Sequence, residues 1–233
     1  MGNYLNPDIS TFARVVNSEI YVDKTGLIEY TNRSAKTLQS YICISRPRRF
    51  GKSIAANMLS AYYTCDSREL FSNLKIASSD SYEKHLNKYD VIFLNMQEFL
   101  SQSSNVEEML SLLKKSVIWD LLDKYPDFRY FDETNLMRTL QDIYNKTKRP
   151  FVVIIDEWDC IFREYITDKK AQEKYLDFLR DLLKDKGYVA LAYMTGILPI
   201  AKYSSGSELN MFWEYTMASE AKYNEYFGLQ IQK

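Results

Sequence analysis

The 233-residue sequence is 46% hydrophobic and 26% charged, and 30 basic side chains against 31 acidic ones leave a formal charge of −1. These totals suit one α/β domain over residues 1–233 and exclude a membrane-embedded or intrinsically disordered chain. They also exclude a global attraction to nucleic acid or anionic lipid, so any basic chemistry has to be local.

His85 is the only histidine, which removes histidine triads and polyhistidine metal sites from consideration. Its polar surroundings predict a solvent-facing helix position. Cys43, Cys65 and Cys160 are odd in number and widely spaced, so neither a disulfide framework nor a zinc site is expected, and a reducing compartment is. The start "MGNYLN" has no cationic and apolar signal-peptide regions, which makes cytoplasmic residence the expectation.

In chain order, "YICIS" (41–45) reads as a buried strand, and "KSIAANMLSAYYT" after it repeats Ile54, Met58, Leu59 and Tyr62 at helical spacing. "DVIFLN" (90–95) is a second strand. The helix that follows, over 105–125, puts Val106, Leu110, Leu113, Val117 and Leu121 on one face. "ETNLMRTLQDIYNKT" predicts a helix stopping before Pro150, ahead of the strand "FVVIID" (151–156). "KKAQEKYLDFLRDLLKDKG" predicts an amphipathic helix ended by Gly187, and "VALAYMTG" (189–196) the next strand. The remainder is irregular, with one short strand near "FWEYT". Continuous apolar strands alternating with helices predict a three-layer α/β sandwich with a mainly parallel central sheet.

Between the first strand and its helix lies "RPRRFGKS" (46–53). The phosphate-loop pattern G-x-x-x-x-G-K-[ST] occupies the same strand-to-helix position. Only its first glycine is missing, with Arg46 in its place and Pro47, which has no amide hydrogen, beside it. Gly51 permits close backbone approach, Lys52 can reach the terminal phosphates, and Ser53 can ligate Mg²⁺. The stretch Arg46, Pro47, Arg48, Arg49, Phe50, Gly51, Lys52, Ser53 and Ile54 is the expected nucleotide contact. Arg46, Arg48 and Arg49 are expected to bring guanidinium groups to the phosphates.

"VVIIDEWD" supplies the partner carboxylates. Asp156 closes a buried strand at the end where doubly wound sheets bind ligands, and an acid there can hold Mg²⁺, while Glu157 is placed to polarise an attacking water. Thr195 ends the next strand, where it either sits beside the γ-phosphate or bonds a loop backbone. Trp158 and Asp159 are assigned to packing and capping. About 100 residues containing the strand "DVIFLN" separate loop from carboxylate, as in phosphate-loop ATPases that insert a strand between the two. No DNA- or RNA-binding signature is present, so direct nucleic-acid binding is disfavoured.

These stretches resemble the predicted AAA-ATPase-like proteins of bacteria, relatives of the AAA and STAND-type ATPases. The resemblance is carried by "YVDKTGLIEY" (21–30), "SRPRRFGKS", "AANMLSAYY", "VIFLNMQ", "VVIIDEWD" and "TGILPIAKYSSGSELNMF". It implies a phosphate-loop NTPase fold, ATP or a similar nucleotide with Mg²⁺, Lys52 and Glu157 in catalytic roles, and Ser53 and Asp156 as metal ligands; Thr195 joins the catalytic set from its place at a strand end. It also implies that Asp23 and Lys24 flank the nucleotide. Members commonly continue past "YFGL" into a helical lid and often a PD-(D/E)XK nuclease-like domain, which this chain is expected to lack. The expected function is ATP binding with slow or latent Mg²⁺-dependent hydrolysis. The alternatives are a non-hydrolysing nucleotide switch that meets a protein partner or assembles with copies of itself, and an inert fragment.

Overall fold

The computed structural model describes residues 2–203, 208–216 and 226–227. Its elements are α1 (Ser10–Val16), α2 (Gly26–Ser34), β1 (Tyr41–Ser45), α3 (Lys52–Tyr63), α4 (Arg68–Phe71), α5 (Tyr82–His85) and β2 (Asp90–Asn95). There follow α6 (Met96–Ser101), α7 (Val106–Lys124), α8 (Leu136–Thr147), β3 (Phe151–Asp156), α9 (Cys160–Glu164), α10 (Lys169–Leu183), β4 (Val189–Gly196) and β5 (Trp213–Tyr215). Residues 204–207 of the last resemblance stretch, and Gly228 and Leu229 of "YFGL", lie outside the described residues.

The five strands form one parallel sheet in the order β2-β3-β4-β1-β5. The strand lying between β1 and β3 is therefore β4, while β2, which separates the two motifs in sequence, is set outside β3. Alternating side chains feed two cores. Phe151, Val153 and Ile155 pack with α7, α8 and α10 on one face, and Val152 and Ile154 pack with α2 and α3 on the other. This is the three-layer arrangement that doubly covered parallel strands require.

A side chain caps the start of α6, α7, α8 and α10. The Asn105 side chain accepts from the Glu108 amide and that of Asn135 from the Arg138 amide, each satisfying a donor that the first turn leaves open. The end of α10 departs from the sequence expectation. It stops at Leu183, Asp185 takes the left-handed conformation with φ 56°, and Gly187 does not. Buried Tyr188 folds back on the helix end, its hydroxyl donating to the Leu182 carbonyl at 2.7 Å, and so draws the chain away early. Ile54 also departs, being 47% exposed although Met58, Leu59 and Tyr62 are buried as the spacing predicts. His85 is half-buried, with Nδ1 2.9 Å from the Tyr89 hydroxyl. No helix among the described residues is long and apolar enough to cross a membrane.

The N-terminal residues protect the β2 edge. Leu5 forms an antiparallel bridge to Ile92, and the Tyr4 and Leu5 amides donate to Asp120 Oδ2 at 2.7 and 3.0 Å. An unpaired strand edge is a template for aggregation, and this short cover removes it. Asp90, 1% exposed at the start of β2, anchors the same corner. It accepts from Asn6, Lys124 and Tyr125 and lies 3.4 Å from Arg149 Nε. Burial pushes the Asp90 carboxyl up, but the Lys124 and Tyr125 hydrogen bonds and the neighbouring cations outweigh it and hold the group below the ordinary aspartate value.

A group depressed on folding stabilises the fold above its unfolded value and ceases to as pH falls through the folded one. Asp90→Ala is accordingly expected to cost about 2–3 kcal/mol at neutral pH, measured by urea unfolding. The gap between variant and parent should narrow as pH drops below about 4, the unfolded aspartate value.

Candidate nucleotide site

The parallel registers bring four strand ends level: Ser45 lies beside Gly196, and Asn95 beside Asp156. The Arg46 amide donates to the Gly196 carbonyl at 3.1 Å, extending the β1–β4 ladder by one bond. Arg46 is thus in extended continuation of the strand, and the left-handed turns fall later, at Arg49 (φ 68°) and Gly51 (φ 79°). That is why the first glycine of the common pattern is dispensable here. Arg49 bears about 1–2 kcal/mol of strain in its place.

The three arginines separate. Arg48 and Arg49 are exposed at the loop. Arg46 is 1% exposed and sends Nη1 toward the Tyr215 carbonyl of β5 at 3.4 Å. Burial pushes its pKa down. Pro47 is exposed, and Phe50 and Gly51 are half-buried.

Gly51 is the N-cap of α3 and offers no capping side chain. The first-turn amides of a 12-residue helix therefore meet the loop with their positive dipole end uncovered by an acid, a setting suited to an anion. Lys52, 5% exposed, donates from Nζ to the Pro47 carbonyl at 3.0 Å. Burial lowers its pKa, and the charges of Glu157, Asp156 and Asp159 oppose the shift. Ser53 and Ile54 are exposed on the next half-turn.

Asp156 is buried, and its Oδ1 accepts from the Glu157 amide at 3.0 Å and from the Thr195 hydroxyl. Thr195 is fully buried and its hydroxyl is committed to that carboxylate rather than to a loop backbone, while its carbonyl accepts from the Trp158 amide at 3.0 Å. Glu157 adopts φ 55°, a left-handed conformation that a non-glycine residue holds only where its neighbours enforce it.

Asp159 occupies the N-cap position of α9 without capping it. Its Oδ2 instead accepts from the Ile197 and Leu198 amides at 3.1 and 2.9 Å, tying the end of β3 to the segment after β4. Trp158 is fully buried, as packing requires, and the Tyr175 hydroxyl donates to its carbonyl at 2.7 Å.

Sequence reasoning missed Arg163. It pairs with Glu157 and lies 3.5 Å from Asp159. The four-residue interval from Asp159 is the one that aligns charges along a helix and was the available signal. An apolar cavity of about 270 Å³ beside the loop was also not foreseen; Phe12, Tyr21, Phe50, Ile54 and Met58 line it, with Lys24 and Arg49 at its edge. Asp23 faces elsewhere, accepting from Thr25 and from the Lys75 amide and so fixing the segment that walls the cavity. A wider hollow of about 1190 Å³ opens at the opposite, N-terminal ends of the strands, where Lys36, Lys148 and Lys186 stand near helix C-termini. Those lysines offset the negative dipole ends there.

Among the described residues no group of three or more His, Cys, Asp or Glu is arranged to hold a metal ion. Asp156 and the Ser53 hydroxyl fit only an ion that keeps waters and arrives with phosphates, which is the habit of Mg²⁺.

The profile of the family described as "Predicted AAA-ATPase" matches residues 8–205. The chain belongs to that family. Membership places this AAA-ATPase-like chain among nucleotide-binding phosphate-loop domains, in keeping with its parallel sheet. A comparison with curated proteins finds no match. Among solved structures it is similar to the Aeropyrum pernix ORC2 protein in ADPNP and ADP complexes, at 10% identity and a TM-score of 0.45, covering 87% of this chain and 51% of that one. It is also similar to C. elegans PCH-2, at 15% identity and a TM-score of 0.28, covering 91% and 41%. The chain thus spans about half or less of the length of both.

Gly196 is a point of close approach between the two motifs. A Cβ there would fall 2.5 Å from Trp158 Nε1 and 2.9 Å from Asp159 Oδ1. Gly196→Ala is expected to destabilise by about 1–3 kcal/mol through overpacking, read as a lowered urea midpoint with an unchanged slope.

Proposed function

We propose that this chain binds ATP through residues 46–54 and hydrolyses it slowly. The observation that carries this reading is the placement of buried Lys52, at the uncapped helix start after β1, one strand away from Asp156 at the level end of β3. Lys52 and the first-turn amides of α3 hold the phosphates, and exposed Arg48 and Arg49 add charge at the rim. The apolar cavity beside Phe50 takes the base; at about 270 Å³ it falls just short of the roughly 300–1,000 Å³ of whole-ligand pockets, which suits a part of the nucleotide. Ser53 and Asp156 hold Mg²⁺, which when bound neutralises phosphate charge. Thr195 positions Asp156, and Glu157 orients the attacking water and accepts its proton.

A second reading, a nucleotide-dependent switch that does not hydrolyse, is favoured by one observation, the engagement of Glu157 by Arg163. The two part company on Glu157→Gln. On the enzyme reading it lowers phosphate release by about 10²–10⁴-fold with binding retained. Unchanged release would leave the switch.

Binding itself is tested by titrating the protein with a fluorescent ATP analogue and Mg²⁺. Lys52→Ala is expected to raise Kd by about 30-fold, the equivalent of about 2 kcal/mol for lost charge-assisted hydrogen bonds. An unchanged Kd would remove the loop from the site.

A further inference from the structure

Arg163 stands between two carboxylates of different character. Its Nη2 meets Glu157 Oε2 at 2.5 Å, where the two side chains are 18% and 25% exposed. Its Nε lies 3.5 Å from Oδ2 of the wholly buried Asp159. Nη2 also reaches within 3.4 Å of Gln97 Oε1 on α6.

The hydrogen bonding around this guanidinium is incomplete on one side. Arg163 Nε and Asp159 Oδ1 are both buried, and neither has a hydrogen-bond partner. An unmade bond on a buried polar atom is expensive, and more so for charged groups. A small movement of the guanidinium toward Asp159 would bring Nε, now 3.5 Å from Oδ2, into hydrogen-bond range at the expense of the partly wet contact to Glu157. One cation thus has two competing partners within reach, which is the physical requirement for a two-position element.

We propose that Arg163 is a positioning residue that restrains Glu157. Paired as here, the carboxylate is drawn toward α9 and one of its oxygens is occupied. Glu157 becomes available to water when the guanidinium passes to Asp159. Asp159 Oδ2 also accepts from the Ile197 and Leu198 amides, so the same transfer reaches the segment after β4. The inference rests on the reading of Glu157 as the water-orienting group.

The test is steady-state phosphate release from ATP and Mg²⁺ by the full chain carrying Arg163→Gln or Arg163→Lys. The lysine variant keeps a charge beside Asp159 but loses the fork that spans both acids, and it decides the matter if the glutamine variant does not fold. The expected result is a rise in kcat of about three- to tenfold, the size of one partly exposed ion pair, with KM and analogue Kd unchanged and the rise abolished by adding Glu157→Gln. A purely structural role would instead lower kcat or shift KM and Kd along with it. If Glu157→Gln abolishes release in the parent and neither Arg163 variant accelerates it, the restraint is overturned while the hydrolytic reading stands. If Glu157→Gln leaves release unchanged, or no variant turns over ATP, both fall.

Discussion

The placement of β4 between β1 and β3 is the constraint on which the site depends. Neighbouring strands lie about 4.8 Å apart, so the loop leaving β1 and the carboxylate closing β3 stand about 10 Å apart. The inserted strand also serves both sides. The Gly196 carbonyl accepts from the Arg46 amide, and the Thr195 hydroxyl donates to Asp156. Neither motif holds its shape without this middle strand, and Gly196 has no room for a side chain because Trp158 and Asp159 press against it from β3.

The charges at this end are arranged around partial burial. Lys52 is nearly withdrawn from water yet faces Glu157, Asp156 and Asp159, whose fields oppose the loss of its proton. Arg163 pairs with Glu157 and lies 3.5 Å from Asp159. Two buried or half-buried cations thus share this end of the sheet with the three acids of "DEWD". In so low a dielectric each is coupled to the others more strongly than surface charges would be.

Backbone strain sits at the same points. Arg49 and Glu157 are both non-glycine residues in left-handed conformation, one in the loop and one directly after the β3 carboxylate. Such conformations persist where surrounding bonds over-determine them. For Glu157 those bonds are its own amide on Asp156 and the Trp158 amide on Thr195. The N-terminal segment adds support from the opposite face, through Asp23 and Thr25 bound to the amides of Lys75 and Ile76, and so shapes the apolar wall beside the loop.

The sequence by itself determined the layers and which residues stand at two strand ends. Apolar runs such as "FVVIID" can only be buried on both faces, and helical spacing in α7 leaves one choice of inward face, so local pattern suffices for both. Gly51, Lys52 and Asp156 were legible because loop and carboxylate motifs are contiguous. Tertiary structure alone decided the rest. Strand order placed β4 rather than β2 between the motifs. The β5 edge claimed the Arg46 side chain that the sequence assigned to phosphate. Outward-facing Ile54 broke its helical stripe to wall a cavity with Phe12 and Tyr21. Helix α9 turned Arg163 back onto Glu157. Each of these joins residues far apart in the chain or on opposite sides of a turn, and a periodic pattern carries no information about such partners because it reports only which face of one element is dry.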